Sequence, residues 1–400
     1  MSKRVMLLGG SKFIVPAIDI LHDLGYEVIT CDYLPNNLAH KYSDRYENLS
    51  VIDRESVLKA ACDAKIEGIV SFACDPGVAT AAYVAQQMGL PSVGPYESVC
   101  ILQNKKKFRR FLSENGFNCP TSGGFRSMSE ASDFIDKITY PVIVKPADSA
   151  GSKGVNKVDD NSGLKSAVKN ALDRSIAGEF IIEEYLQQKG NPSDSECFSV
   201  DGEIKFVSFS SQYFDSLSSN PYGPVGFTWK PTISEDNRKE LTEEISRLIR
   251  LLGMNTSLYN AETRECIDGK AYIMELSPRG GGNRLAEMIR YATGIDLIKA
   301  AVCAALGRDV DLSATKKDDG LWAEVILHGR KSGRYNGLLI SDEIKKYVVE
   351  TDIWVTKGEK VMEYTGADRT LGTLILHFDD PLFMETVMDD PAKHINVDIG

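Results

Sequence analysis

No run of apolar residues in this sequence approaches the roughly 18 needed to cross a membrane. Cysteine is sparse and scattered. The eight residues Cys31, Cys62, Cys74, Cys100, Cys119, Cys197, Cys266 and Cys303 include no CxxC pair, a pattern of reduced thiols and not of a disulfide frame or a zinc site. Five histidines lie far apart, which argues against a histidine-based metal centre. Positive charge is in deficit, with 46 Lys and Arg against 57 Asp and Glu and a net charge of −11. The chain as a whole therefore has no electrostatic pull towards nucleic acid or anionic lipid. Neither a GKS or GKT closing a glycine loop nor a full GxGxxG is found, and this removes the Walker-type and NAD-binding fingerprints. No Ser-His-Asp or Cys-His arrangement is evident. The stretch MSKRVMLLGGSKF is too short in apolar residues for a secretory signal, so a cytoplasmic location is expected. Internal repeats and long disordered tracts are lacking as well.

What remains is an ordinary globular composition, 42% hydrophobic and 26% charged over 400 residues, long enough for two or three domains. The first hundred residues alternate strands (Arg4 to Leu8, Tyr26 to Cys31, Gly68 to Phe72) with helical spacing at Val15 to Leu24. Such alternation predicts an open parallel sheet with helices on its faces. The texture changes near residue 97. One basic helix is expected over Ser98 to Asn115, closed by Gly116. Helices follow at Ser129 to Ile138 and Ser162 to Leu172, with strands at Pro141 to Lys145 and Phe180 to Glu184. Strands are expected at 196–209 and 225–229, then an amphipathic helix over Ser234 to Leu252. A hairpin follows at 257–264 and 270–276, turning at Asp268-Gly269. Beyond about residue 312 the pattern is strand-rich, with runs at Trp322 to His328, Ile353 to Val355 and Thr373 to Phe378. The expected divisions are 1–97, 98–311 (with a lid at about 120–186) and 312–400.

Two places suggest chemistry. The strand ending at Lys145 opens into a loop of small residues, Ala147 to Gly154. Small residues let backbone N–H groups approach phosphate oxygens, while the lysine supplies a point charge. A surface turn with a structural lysine is the alternative. Downstream, Glu262 and Glu275 face each other across the expected hairpin. Opposed carboxylates repel unless a hard cation lies between them, commonly Mg²⁺ holding nucleotide phosphates. Arg279 and the run Gly280, Gly281, Gly282, Asn283 come next, a combination suited to an anionic transition state. The basic run Lys105 to Arg110 reads as a helical face near bound nucleotide in an acidic protein.

In order and spacing, Lys105, Lys145 with its loop, Glu183 to Leu186, then Glu262, Glu275 and Arg279 resemble the ATP-grasp superfamily. That family includes biotin carboxylase, carbamoyl-phosphate synthase, glycinamide ribonucleotide synthetase and the D-alanine ligases. The resemblance covers essentially the whole chain. It implies an N-terminal α/β domain, an ATP-grasp core of two α+β subdomains and a C-terminal strand-rich part. It further implies that Lys105 and Lys145 hold ATP phosphates and that Ser149, Gly151, Ser152 and Gly154 belong to a lid loop. Glu183 and Leu186 would frame adenine with Tyr185 nearby, and Glu196 would meet the ribose beyond an insertion at Gln187 to Asp194. Glu262, Glu275 and Ser277 would ligate two Mg²⁺ ions, with Mn²⁺ as an acceptable substitute. Ser277 stands where the family usually has Asn. Arg279, with Lys145, would stabilise the transferring phosphoryl group. Gly10 and Asp75 from the N-terminal part, and Gly281, Gly282, Asn283 and Arg284, would face the small-molecule substrates, with loop Tyr213 to Trp229 shaping their pocket. The implied reaction is ligation of a carboxylate to an amine through an acyl phosphate, in a protein that by family is a homodimer. A bicarbonate-using carboxylase, a non-catalytic ATP sensor and, more remotely, an NAD-linked oxidoreductase are the alternatives.

Overall fold

The computed structural model describes residues 3–148, 151, 153–317 and 320–400. Its first part is a parallel sheet of β1 (Lys3–Leu8), β2 (Tyr26–Cys31), β3 (Arg45–Glu47) and β4 (Gly68–Ser71) in the order β3-β2-β1-β4. Three helices alternate with these strands: α1 (Val15–Asp23), α2 (Arg54–Ala64) and α3 (Asp75–Met88). Of these, β1, β2 and β4 are largely apolar and buried, as parallel strands covered on both faces must be, while β3 at the edge is polar.

The expected single helix over Ser98 to Asn115 is two helices, α4 (Tyr96–Leu102) and α5 (Lys105–Glu114). The break has a local cause. Asn104 accepts a hydrogen bond from the Lys107 N–H and so caps α5, which interrupts a pattern that periodicity alone reads as continuous. Gly116, with φ of 71°, follows α5 in the left-handed conformation its position requires.

An antiparallel sheet comes next, β5 (Ser122–Phe125), β6 (Val142–Pro146), β7 (Asn156–Val158) and β8 (Phe180–Glu184), ordered β5-β8-β6-β7. Two helices, α6 (Met128–Ile135) and α7 (Asn161–Leu172), pack on one face around Val142, Val144, Phe180 and Ile182. The opposite face carries Ile143, Lys145, Ile181 and Glu183.

The second antiparallel sheet holds β9 (Ser193–Val200), β10 (Glu203–Ser208), β13 (Ser257–Glu265) and β14 (Ala271–Ser277), ordered β10-β9-β13-β14. The expected strand 196–209 is thus a hairpin. It turns at Asp201-Gly202, both with positive φ. Helix α8 (Glu235–Leu251) lays Leu241, Ile245, Leu248 and Ile249, all essentially fully buried, against Cys197, Tyr259, Ala261 and Leu276 of this sheet. Each such side chain contributes roughly 1.5–3 kcal/mol, so one face of the sheet is fixed as core, while the other carries buried Phe198 and Leu258 at one end and polar residues beyond them.

The rest includes α9 (Leu285–Thr293), α10 (Leu297–Ala305), α11 (Asp342–Lys345), α12 (Pro381–Asp389), a five-stranded sheet and a three-stranded one. The larger sheet contains β11 (Ser211–Phe214), β12 (Pro224–Thr228), β15 (Trp322–Leu327), β17 (Val348–Ile353) and β19 (Gly372–His377), and the smaller one β16 (Gly333–Ile340), β18 (Lys360–Val361) and β20 (Ile395–Ile399). The strand expected at Ile353 to Val355 lies earlier, ending at Ile353. Among the described residues no helix is long and apolar enough to cross a membrane.

Candidate active site

Registers in the second sheet define the site. Glu262 lies opposite Glu275 on one side and Asp194 on the other, while Asn260 lies opposite Ser277 and Glu196. Because strand side chains alternate faces, these six polar residues share the face that does not pack on α8. Glu262 and Glu275 are each one-third exposed, and each touches a cation: Glu262 meets Arg264 at 2.8 Å and Glu275 meets Lys105 Nζ at 3.2 Å. Burial works against ionisation of Glu262, but Arg264, Lys145 and Lys105 outweigh it and hold its carboxyl below the ordinary range.

Lys105 is the first residue of α5, and its backbone N–H donates to Ala147 O at 2.8 Å. That bond ties the helix start to the mouth of the small-residue loop, of which Ser149 and Ser152 lie outside the described residues. Gly151 and Gly154 both have positive φ, 69° and 77°. Lys145 reaches Glu183 at 2.6 Å, and Arg109, one turn beyond Lys105, reaches the same carboxylate at 2.9 Å. Burial opposes the charge on Glu183, yet Arg109 and Lys145 bring its pKa down to about 2. The Glu183 carboxylate, expected beside adenine, is thus paired with two cations. Tyr185 lies under Lys157 Nζ, 4.9 Å from the ring centre, and Leu186 packs with Cys266, Tyr272 and Met274, an apolar surface able to take a flat ring.

Glu196, expected at the ribose, has protein partners in this structure. It is buried on the sheet face, accepts from the Gly281 N–H at 2.8 Å and from Asn260 Nδ2 at 3.0 Å, and so holds the glycine loop. Burial, aided by Asp194, raises its pKa to about 8; desolvation likewise raises that of the partly buried Asp194, to about 7. Gly281 has no room for a side chain, since an added Cβ would lie 2.8 Å from both Glu196 Oε1 and Asn260 Nδ2.

Arg279 is gripped by Asp75 at the start of α3, with Nε and Nη2 each 2.7 Å from a carboxylate oxygen. Asp75, expected at substrate, is thus the counter-ion of Arg279. Ser277 donates to Asp75 at 2.8 Å and accepts from Gln103 at 2.9 Å, so its hydroxyl is occupied by protein groups. Arg284, expected at substrate, meets Glu287, Glu350 and Thr373. Asn283, beside it, shares its left-handed conformation, with φ of 51° and 61° for the two. Gly10 packs against Asn37 and His40. From the same turn it is Phe13 whose ring comes nearest Gly282, 3.9 Å from where a Cβ would stand.

The donor set suits Mg²⁺ carried in with phosphates. Among the described residues no three carboxylate, imidazole or thiolate groups converge into a metal cage, and Mg²⁺ typically takes one or two protein carboxylates plus substrate phosphates. Glu262 and Glu275 are the two residues here that would supply them. Sequence reasoning missed Asp194, Asn260, Gln103, Arg109 and Arg264. Of these, Asp194 and Asn260 follow from period two once the strands are in register, and Arg109 from the i+4 spacing to Lys105.

A family model for the ATP-grasp domain matches residues 102–283. The carbamoyl phosphate synthase large chain of Thermoanaerobacter sp. (strain X514) is 26% identical over 234 residues, 57% of this chain and 20% of that protein. The chain spans about a fifth of the length of that curated relative. In fold, the L-amino acid ligase from Bacillus licheniformis superposes with a TM-score of 0.78 at 19% identity, covering 100% of this chain and 99% of that one. The biotin carboxylase domain of Hydrogenobacter thermophilus 2-oxoglutarate carboxylase, solved as a dimer with MgADP and bicarbonate, gives 0.75 at 15% identity, covering 100% and 91%. With the domain match over residues 102–283, the parallel leading sheet and the antiparallel sheets that follow it, the chain carries an ATP-grasp domain within an ATP-grasp-like fold.

Proposed function

We propose that this protein is a cytoplasmic ATP-dependent carboxylate–amine ligase that activates a small carboxylic acid as an acyl phosphate and releases ADP and phosphate. The observation that carries the reading is the shared face of the second sheet, where Glu262 and Glu275 stand directly opposed beside Lys105 and Arg279, with Lys145 on the sheet above. On this reading residues 1–97, 98–311 and 312–400 act as separate units around that face.

The chemistry asks little of the protein beyond placement of charge. When bound, Mg²⁺ on Glu262 and Glu275 would neutralise phosphate oxygens. Lys145 and Lys105 oppose the negative charge of the triphosphate, and Arg279 receives the charge developing on the transferred group. The substrate carboxylate oxygen attacks the γ-phosphorus, and the bond to the ADP oxygen breaks. An amine then attacks the acyl carbon, and phosphate leaves with the former carboxylate oxygen as the nitrogen loses a proton. Closure of the small-residue loop keeps water from the acyl phosphate.

The test is ADP and phosphate release with Mg·ATP across a panel of small acids and amines, with bicarbonate included, alongside Glu275→Ala. Release that needs both an acid and an amine, and is lost in the variant, is the expected result. Release with bicarbonate alone as the acid would move the reading to a carboxylase, and ATP binding without turnover on any pair would move it to a nucleotide sensor.

A further inference from the structure

Two residues apart on the chain, Gln103 and Lys105 make parallel ties to two residues that are also two apart, Ser277 and Glu275, at 2.9 and 3.2 Å. The first tie continues. Ser277 Oγ gives its proton to Asp75 Oδ1 at 2.8 Å, and the Asp75 carboxylate takes Arg279 Nε and Nη2 at 2.7 Å each. A hydroxyl has one proton and two lone pairs. Here the proton goes to Asp75, one lone pair goes to the Gln103 amide, and the side chain is 1% exposed. Arg279 Nη1 is fixed in turn on Gly280 O at 2.9 Å, and the same carbonyl accepts the Ala73 N–H at 3.2 Å. Of the five guanidinium N–H groups, three are therefore spent on holding the side chain, leaving one on each terminal nitrogen.

We infer that Ser277 and Asp75 are positioning residues for Arg279, and that Ser277 serves this chain of hydrogen bonds and is not a metal ligand. The inference rests on the ligase reading, which assigns Arg279 to the transferred phosphoryl group. A bidentate carboxylate fixes a guanidinium in both distance and plane, and Ser277 fixes the carboxylate. Loss of either lets the guanidinium turn, and a misplacement of about 1 Å can cost on the order of 100-fold in rate.

The test uses the full chain and compares Ser277→Ala, Ser277→Thr, Asp75→Asn and Arg279→Ala. Three readouts are taken: kcat and KM on the acid–amine pair found active, Mn²⁺ affinity in the presence of ADP by electron paramagnetic resonance, and proton exchange at Arg279 Nε in ¹⁵N-arginine-labelled protein. Ser277→Ala is expected to lower kcat about 10- to 100-fold with KM for ATP and Mn²⁺ affinity within about twofold of the parent. Threonine should restore kcat, and exchange at Nε should speed at least about tenfold in the alanine variant. Unchanged kcat and exchange in Ser277→Ala, or a tenfold loss of Mn²⁺ affinity, would overturn the inference. Full turnover in Arg279→Ala would instead overturn the ligase reading beneath it. Mn²⁺ affinity and Nε exchange need no turnover, so they decide the matter for Ser277 by themselves.

Discussion

Glu183→Gln should destabilise the protein by about 3 kcal/mol. The carboxylate is 2% exposed and sits 2.6 Å from Lys145 and 2.9 Å from Arg109. Removing its charge leaves two buried cations uncompensated, a loss of about 3–5 kcal/mol in comparable pairs. In the same direction, Arg109 and Lys145 outweigh burial and hold its pKa below the ordinary 4.5, at about 2, so folding favours the ionised form at neutral pH. The sign is that of a depressed carboxylate. The stabilisation is fully present above 4.5 and is lost as pH falls towards 2, so the gap between parent and variant should close over that window. Glutamine keeps the shape, so no cavity contributes. The assay is thermal unfolding without nucleotide at pH 7, where about 3 kcal/mol should appear as a drop of roughly 6–12 °C in the unit that contains Glu183. A drop below about 2 °C would refute the claim that this carboxylate holds the two cations in place.

Other expectations concern the site itself. Glu262→Ala should abolish Mg·ATP-dependent phosphate release and weaken Mn²⁺ binding with ADP at least about tenfold, read by electron paramagnetic resonance; unaltered metal binding would count against the carboxylate pair. Gly281→Ala should lower kcat at least about tenfold in steady-state assays, because its Cβ would press on Glu196 and Asn260 at 2.8 Å and break the loop's hydrogen bond. Glu196 has a folded pKa raised to about 8, so its contribution is present below about 4.5 and declines as pH rises through 8. Glu196→Gln should therefore flatten the fall in stability between pH 5 and 8 in urea unfolding, and an unchanged slope would contradict its burial as a protonated acid.

How much of this was legible in the sequence depended on range. Local rules served well: alternation marked Glu262 and Glu275 as facing, Gly116 closed a helix, and apolar spacing delineated α8 almost to the residue. Rules of spacing failed where a side chain intervened, as when Asn104 capped α5 in the middle of a helical pattern. The roles of site residues were the least legible. Asp75 and Arg279 are 204 positions apart, and nothing in either segment announces the other. Asp75 reads as a substrate-facing residue and Arg279 as a phosphoryl-group partner until the start of α3 is brought against the loop after β14. Glu183 and Glu196 likewise lie in expected strands, but their partners, Arg109 and the Gly281 N–H, are set by packing between elements. Motif order could locate the site, while only the register and packing could say which carboxylates face outward.

The most direct test of the central claim is transfer of oxygen. With the acid labelled at both carboxylate oxygens with ¹⁸O, and Mg·ATP and an amine supplied, the account predicts one ¹⁸O atom in each phosphate released, because the carboxylate oxygen that attacks phosphorus leaves with it. Unlabelled phosphate, or AMP and pyrophosphate in place of ADP and phosphate, would contradict activation as an acyl phosphate.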